Sequence, residues 1–196
     1  MRKSPDCRIC RKVGEKLFLK GEKCNLPSCP FEKKSYAPGQ GGARRRRKQG
    51  SDYSVQLIEK QKAKAIYGIS ERQMSNYFEE ARKKRASTGE ELLKILESRL
   101  DNVVYRLGWA ESRSKARQMV THGKISVNGK CVKSPSYRIK VADKISTVEA
   151  NLPSTKAKIP DWIKLTKGKN EAEIISSPIN ELMPFNVQLI VEYYSR

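Results

Sequence analysis

Acidic residues are the scarce charge in this chain: Asp and Glu number 21 against 41 Lys and Arg, leaving a formal net charge of +20 over 196 residues. Histidine occurs once, and no apolar stretch approaches the roughly 18 residues that a membrane-spanning helix needs. Each shortage excludes something. An imidazole-centred active site has only His122 to use, and no nucleophile or carboxylate pattern accompanies it. The opening MRKSPDCRIC lacks the apolar core of a secretion signal. The chain is therefore expected in the reducing cytoplasm, where its five cysteines are thiols or metal ligands and not disulfides. Too few carboxylates to offset the cations means self-repulsion in a compact state, which a polyanionic partner relieves. Nucleic acid and an anionic membrane surface are the two candidates. No amphipathic helix with a strongly apolar face and basic flank stands out, so a membrane role is not expected.

The excess charge is unevenly placed. Residues 1–50 carry +11 and residues 97–150 carry +6, whereas 51–96 and 151–196 carry +2 and +1. Residues 1–43 have little periodic apolar pattern and hold four of the five cysteines. A segment so poor in buriable surface needs something else to order it. Cys7 and Cys10 are separated by two residues, Cys24 and Cys29 by four, with thirteen between the pairs. Two close pairs around a loop suit one tetrahedral Zn²⁺ with no open position, hence structural and not catalytic. An iron–sulfur cluster uses the same ligands and remains the alternative. Cys131, far from these four, is read as ordinary strand packing. The stretch YAPGQGGARRRRKQG reads as an extended linker whose basic cluster, Arg44, Arg45, Arg46, Arg47 and Lys48, is a candidate RNA contact.

From Ser51 the pattern becomes helical. A helix runs through VQLIEKQKAKAIYG and stops near Gly68, and Ser70 with Gln73 forms a capping box for the next. Thr88 with Glu91 predicts a further box opening one long helix, EELLKILESRLDNVVYRLG. Ser112 caps a short helix ending at Gly123, with Ala116, Met119 and Val120 inward. KISVNGKCV then alternates around Asn128-Gly129, the signal of a two-residue hairpin. Past Pro135 the runs YRIKV, DKISTVEA and the terminal VQLIVEYY read as short strands.

Arg113 and Arg117 are four apart and share a helix face, so both guanidiniums are expected to project toward a phosphate backbone. Lys115 lies between them, His122 sits at the helix end, Lys124 leads into the hairpin, and Asn128 and Lys130 occupy its turn and second strand. All are candidate RNA contacts.

The string ESRLDNVVYRLGWAESRSKARQMVTHGKISVNGKCV resembles the RNA-binding domain named after ribosomal protein S-four. SDYSVQLIEKQKAKAIYGISERQ and the closing LIVEYYSR resemble the ribosomal family itself, and the four-cysteine pattern is similar to its zinc-binding bacterial variant. The resemblance implies an α+β fold: a metal-stapled arm over 1–43, a helical domain from 44–87 plus 176–196, and an RNA-binding domain over 88–175. That last domain has its core at 97–150 and combines two helices, a β-hairpin and a small antiparallel sheet. It implies a non-enzymatic protein that binds a multi-helix junction in the 5′ domain of small-subunit rRNA, nucleates assembly of the subunit body and supports translational accuracy. Implied neighbours are other small-subunit ribosomal proteins, S-five among them, and mRNA near its entry region; no membrane or small-molecule substrate is implied. A pseudouridine synthase carrying the same domain would need a separate catalytic domain, for which residues 133–196 are too short. A stress factor would leave the cysteine-rich arm without a role.

Overall fold

The computed structural model describes residues 6–39, 50–84, 86–149, 152, 159–166, 170–178 and 183–196. The chain divides into two compact units, Met1–Glu80 with Met183–Arg196, and Ala81–Leu182.

The first unit is helical. It contains α1 (Asp6–Val13), α2 (Pro30–Lys33), α3 (Asp52–Tyr67), most of α4 (Glu71–Arg82) and α8 (Val187–Tyr194). Helix α3 ends where Gly68 adopts φ 62° and returns its N–H to the Lys64 carbonyl, a left-handed cap that glycine takes without strain. The capping box forms reciprocally: the Ser70 N–H donates to Gln73 Oε1 and the Gln73 N–H to Ser70 Oγ, each at 3.2 Å.

The inner face of α3 is polar. Gln56, Glu59, Lys60 and Lys62 are all buried there beside Ala63, Ile66 and Tyr67. Buried charges are tolerated only when partnered. Lys62 donates to Glu59 at 2.7 Å and to Glu15 at 2.9 Å, Gln56 to Glu192 at 2.9 Å, and the Asn186 N–H to Glu59 at 2.8 Å.

The run VQLIVEYY, read as a strand from its β-branched and aromatic content, is instead helix α8. The Asn186 side chain caps it by accepting from the Gln188 and Leu189 N–H groups. Ile190 is its one fully buried residue, and the partners on α3 override local strand propensity.

Glu71 draws several of these contacts together. Burial alone would push its carboxyl up, but hydrogen bonds from Lys60, Lys64 and Tyr194 outweigh that and hold it at about 2. A carboxylate depressed on folding contributes stability above its ordinary value of 4.5 and loses it as pH falls from there toward 2. Thermal melts from pH 5 to pH 2 should therefore fall more steeply for the wild type than for Glu71→Gln. The difference will be modest, because the side chain is 47% exposed.

The second unit combines α5 (Thr88–Glu97), α6 (Leu100–Arg106) and α7 (Arg113–Thr121) with a five-stranded antiparallel sheet. The strands are β1 (Ile125–Val127), β2 (Lys130–Cys131), β3 (Lys144–Thr147), β4 (Ile163–Leu165) and β5 (Glu171–Ile174), in the order β2-β1-β3-β5-β4. The β1–β2 hairpin closes on Asn128 and Gly129, both at positive φ, as a two-residue Asn-Gly turn requires. The core packs Leu100, Val103, Val104, Met119 and Val120 against Ile125, Ile145, Trp162, Ala172 and Ile174.

Two local expectations fail here. The predicted long helix is broken at Ser98–Arg99, where Arg99 takes an extended conformation. The break is enforced from a distance: the Leu100 N–H donates to the Tyr137 carbonyl at 2.8 Å, and Arg99 bridges to Arg138, the one bridge formed by the predicted YRIKV strand among the described residues. The Thr88–Glu91 box is also absent. Ser87 occupies the cap position without a side-chain cap bond, and Glu91 instead receives Lys84 at 2.7 Å and Lys94 at 2.9 Å.

Candidate nucleic-acid interface

Helix α7 is fixed at both ends by local chemistry. Ser112 Oγ accepts from the Lys115 N–H, and Ala116, Met119 and Val120 anchor the inner face. Past the His122 cap, Gly123 takes φ 72°. A Cβ at that position would lie 3.2 Å from both Cys131 Sγ and Lys133 Cε, so glycine lets the hairpin close against the helix end. Gly123→Ala should lower the stability of the second unit by about 1–2 kcal/mol through left-handed strain, read as a shifted urea midpoint.

The outer face carries the predicted cations, and α6 tethers two of them. Arg113 Nε donates to Asn102 Oδ1 at 2.8 Å, and its guanidinium lies 4.4 Å from the Tyr105 ring centre. Arg117 Nη1 stands 3.4 Å from Asp101 Oδ2 with 37% of its side chain exposed. Asp101 is already matched by Arg99, whose Nε and Nη2 reach it at 3.0 and 2.7 Å. Asp101 thus faces two guanidiniums, and Arg117 is held in place by the longer contact while part of its side chain stays at the surface. Beneath, Glu97 accepts from Asn102 at 2.8 Å and from Arg106 at 3.0 Å, so Asn102 presents a fixed oxygen to Arg113.

The other predicted residues take different positions. Lys115, His122 and Lys130 are exposed, and Lys124 is half-buried and paired with Glu149 at 2.8 Å. Asn128 fixes the turn: its Oδ1 accepts from the Lys144 N–H at 2.9 Å, and its Nδ2 donates to Asp143 at 2.8 Å. Arg44, Arg45, Arg46, Arg47 and Lys48 lie outside the described residues. Sequence reasoning passed over Lys133, which is exposed and borders Gly123. Its only sequence signal was its place just past the hairpin's second strand.

In the N-terminal arm Cys10, Cys24 and Cys29 are buried and Cys7 half-buried, none of them in a disulfide. The four line one small cavity with Phe18 and Phe31 among its walls. Burial, then the proximity of Cys24, Cys7 and Cys29, pushes the Cys10 thiol up. Among the described residues no group of three or more His, Cys, Asp or Glu side chains is set to hold a metal ion. What the four sulfurs share is a common wall, not a preformed ligand shell. Among the described residues no helix is long and apolar enough to cross a membrane.

Comparison with known proteins covers almost the whole chain. Residues 1–97 match the family described as the ribosomal protein S4/S9 N-terminal domain, and residues 98–145 match the S4 domain. The chain is similar to small ribosomal subunit protein uS4 of Dictyoglomus thermophilum, with 50% identity over 98% of this chain and 97% of that one. It is 49% identical to uS4 of Thermus thermophilus over the same shares, and 48% identical to uS4 of Clostridium beijerinckii over 97% of this chain and 96% of that one.

Proposed function

Because the chain belongs to the S4 family of small-subunit ribosomal proteins, we propose that it binds a multi-helix junction in the 5′ domain of small-subunit rRNA and there nucleates assembly of the subunit body. Its role is structural, not enzymatic. The observation that carries this reading is the α7 face, where exposed Lys115 and tethered Arg117 present positive charge on a rigid helix. RNA duplexes hide their major groove, so such a surface tracks phosphates and 2′-hydroxyls and recognises shape. Several basic surfaces separated along the chain suit several helical arms better than one duplex. On the same reading it neighbours S-five and the mRNA entry region, where it supports accuracy. The test is competition: the purified chain should prefer a 5′-domain rRNA transcript to random-sequence RNA of equal length, and equal binding refutes the assignment. Lys115→Gln and Lys130→Gln should each weaken binding across all RNA sequences and lower the salt slope by about one.

The same reading gives the arm one structural Zn²⁺ held by Cys7, Cys10, Cys24 and Cys29. The donor set supports it, since four thiols on one cavity can all become thiolates on a single cation. A bound zinc would supply ordering energy to a segment with little core of its own. Elemental analysis of the purified chain should find one zinc per molecule, lost in Cys24→Ser. Visible absorbance would mark an iron–sulfur cluster in its place.

A further inference from the structure

A second kind of RNA contact, resting on the reading above, stands on the helical unit. Tyr53 occupies the first turn of α3 with 48% of its surface exposed. Its ring lies 5.6 Å from that of Tyr193 with a 32° tilt between them, and Tyr193 meets Tyr194 edge-on at 5.3 Å. Cations border this aromatic group. Lys60 Nζ is 4.0 Å from the Tyr193 ring centre, and the Arg196 guanidinium is 5.9 Å from that of Tyr53. Glu71, which accepts from the Tyr194 hydroxyl at 2.8 Å, is matched by both Lys60 and Lys64.

Core packing does not account for so exposed a ring, because Ile66, Tyr67 and Ile190 anchor this unit from within. An aromatic face backed by a second ring and edged by guanidinium accepts a flat, electron-rich partner whose phosphate meets the cation. The location favours nucleic acid over protein: the Arg44–Lys48 run ends five residues before Tyr53 in the same chain. We infer that Tyr53, backed by Tyr193 and flanked by Arg196, is a stacking platform for one unpaired nucleotide of the bound rRNA. It complements the α7 surface, because duplex phosphates and a splayed base are recognised by different chemistry.

The test is equilibrium binding of the full chain to 5′-domain rRNA at one fixed salt concentration and across a salt series, with melting curves as the folding control. The variants are Tyr53→Phe, Tyr53→Leu and Tyr53→Ala. Phenylalanine keeps the ring and should bind close to wild type. Leucine and alanine should each lose roughly 5- to 150-fold, the range for removing one base–aromatic stack. Their salt slopes should stay unchanged, because no phosphate contact is removed. Leucine binding as tightly as phenylalanine would overturn the platform, since it would mean a merely apolar surface open to a protein partner. If wild type binds and all three variants match it, the platform alone is refuted. If wild type shows no preference for the rRNA, the functional reading falls and the platform with it.

Discussion

Raising monovalent salt from about 50 to about 200 mM should weaken the rRNA complex roughly a thousandfold if as few as six phosphates are neutralised. Condensed counterions are released from RNA on binding, and recapturing salt opposes that release. The chain has cations enough: a net +20 overall, with Lys115, Lys130 and Lys133 exposed on the described surface. A titration by filter binding, plotted as log affinity against log salt, reads the number of contacts as a slope. A flat line would show that the positive charge serves something other than a polyanion. Separating contact from scaffold needs care at α7. Arg113 is bonded to Asn102 and stacked on Tyr105, so its removal disturbs packing as well as binding. Arg117, more exposed and more loosely held, is the cleaner probe.

Arg99→Ala is expected to destabilise the sheet-bearing unit by about 3–5 kcal/mol, the range for breaking a buried ion pair from one side. Arg99 is fully buried, and the Asp101 side chain is only 5% exposed. Truncating the arginine leaves that carboxylate in a dry site where, among the described residues, the 3.4 Å contact to Arg117 remains. Replacing both members, as Arg99→Met with Asp101→Leu, should recover much of the loss, because no orphaned charge remains. The double variant should nonetheless bind RNA more weakly, since Arg117 loses its tether. The measurement is unusually direct. The two tryptophans of the chain, Trp109 and Trp162, both lie in the core of this unit. Tryptophan fluorescence during urea unfolding therefore follows the second unit and is blind to the first.

How far the sequence could be read depends on whether the deciding interaction is local. The end of α3 at Gly68, the Ser70–Gln73 box, the Ser112 cap and the Asn128-Gly129 turn are each settled within four residues, and each forms as expected. The break at Arg99 is settled by Tyr137, Arg138 and a buried ion pair, which no periodicity can reveal. Helix α8 departs from its strand-like sequence for the same reason: its β-branched run is helical because Asn186 caps it and α3 receives it. At the interface, four-residue spacing put Arg113 and Arg117 on one face. That Asp101 and Asn102 would hold them depends on how α6 approaches α7.

The seating of α8 beside α3 sets an order of events during synthesis. Glu59 and Gln56 are made long before Asn186 and Glu192, the residues that later bond to them. With 127 residues separating Glu59 from Asn186, ribosomal elongation takes on the order of ten seconds to bridge the gap. All of Ala81–Leu182 emerges in that interval, so the later-made unit can finish folding first. The earlier helices meanwhile hold a half-satisfied polar face open to chaperones, or to the RNA itself.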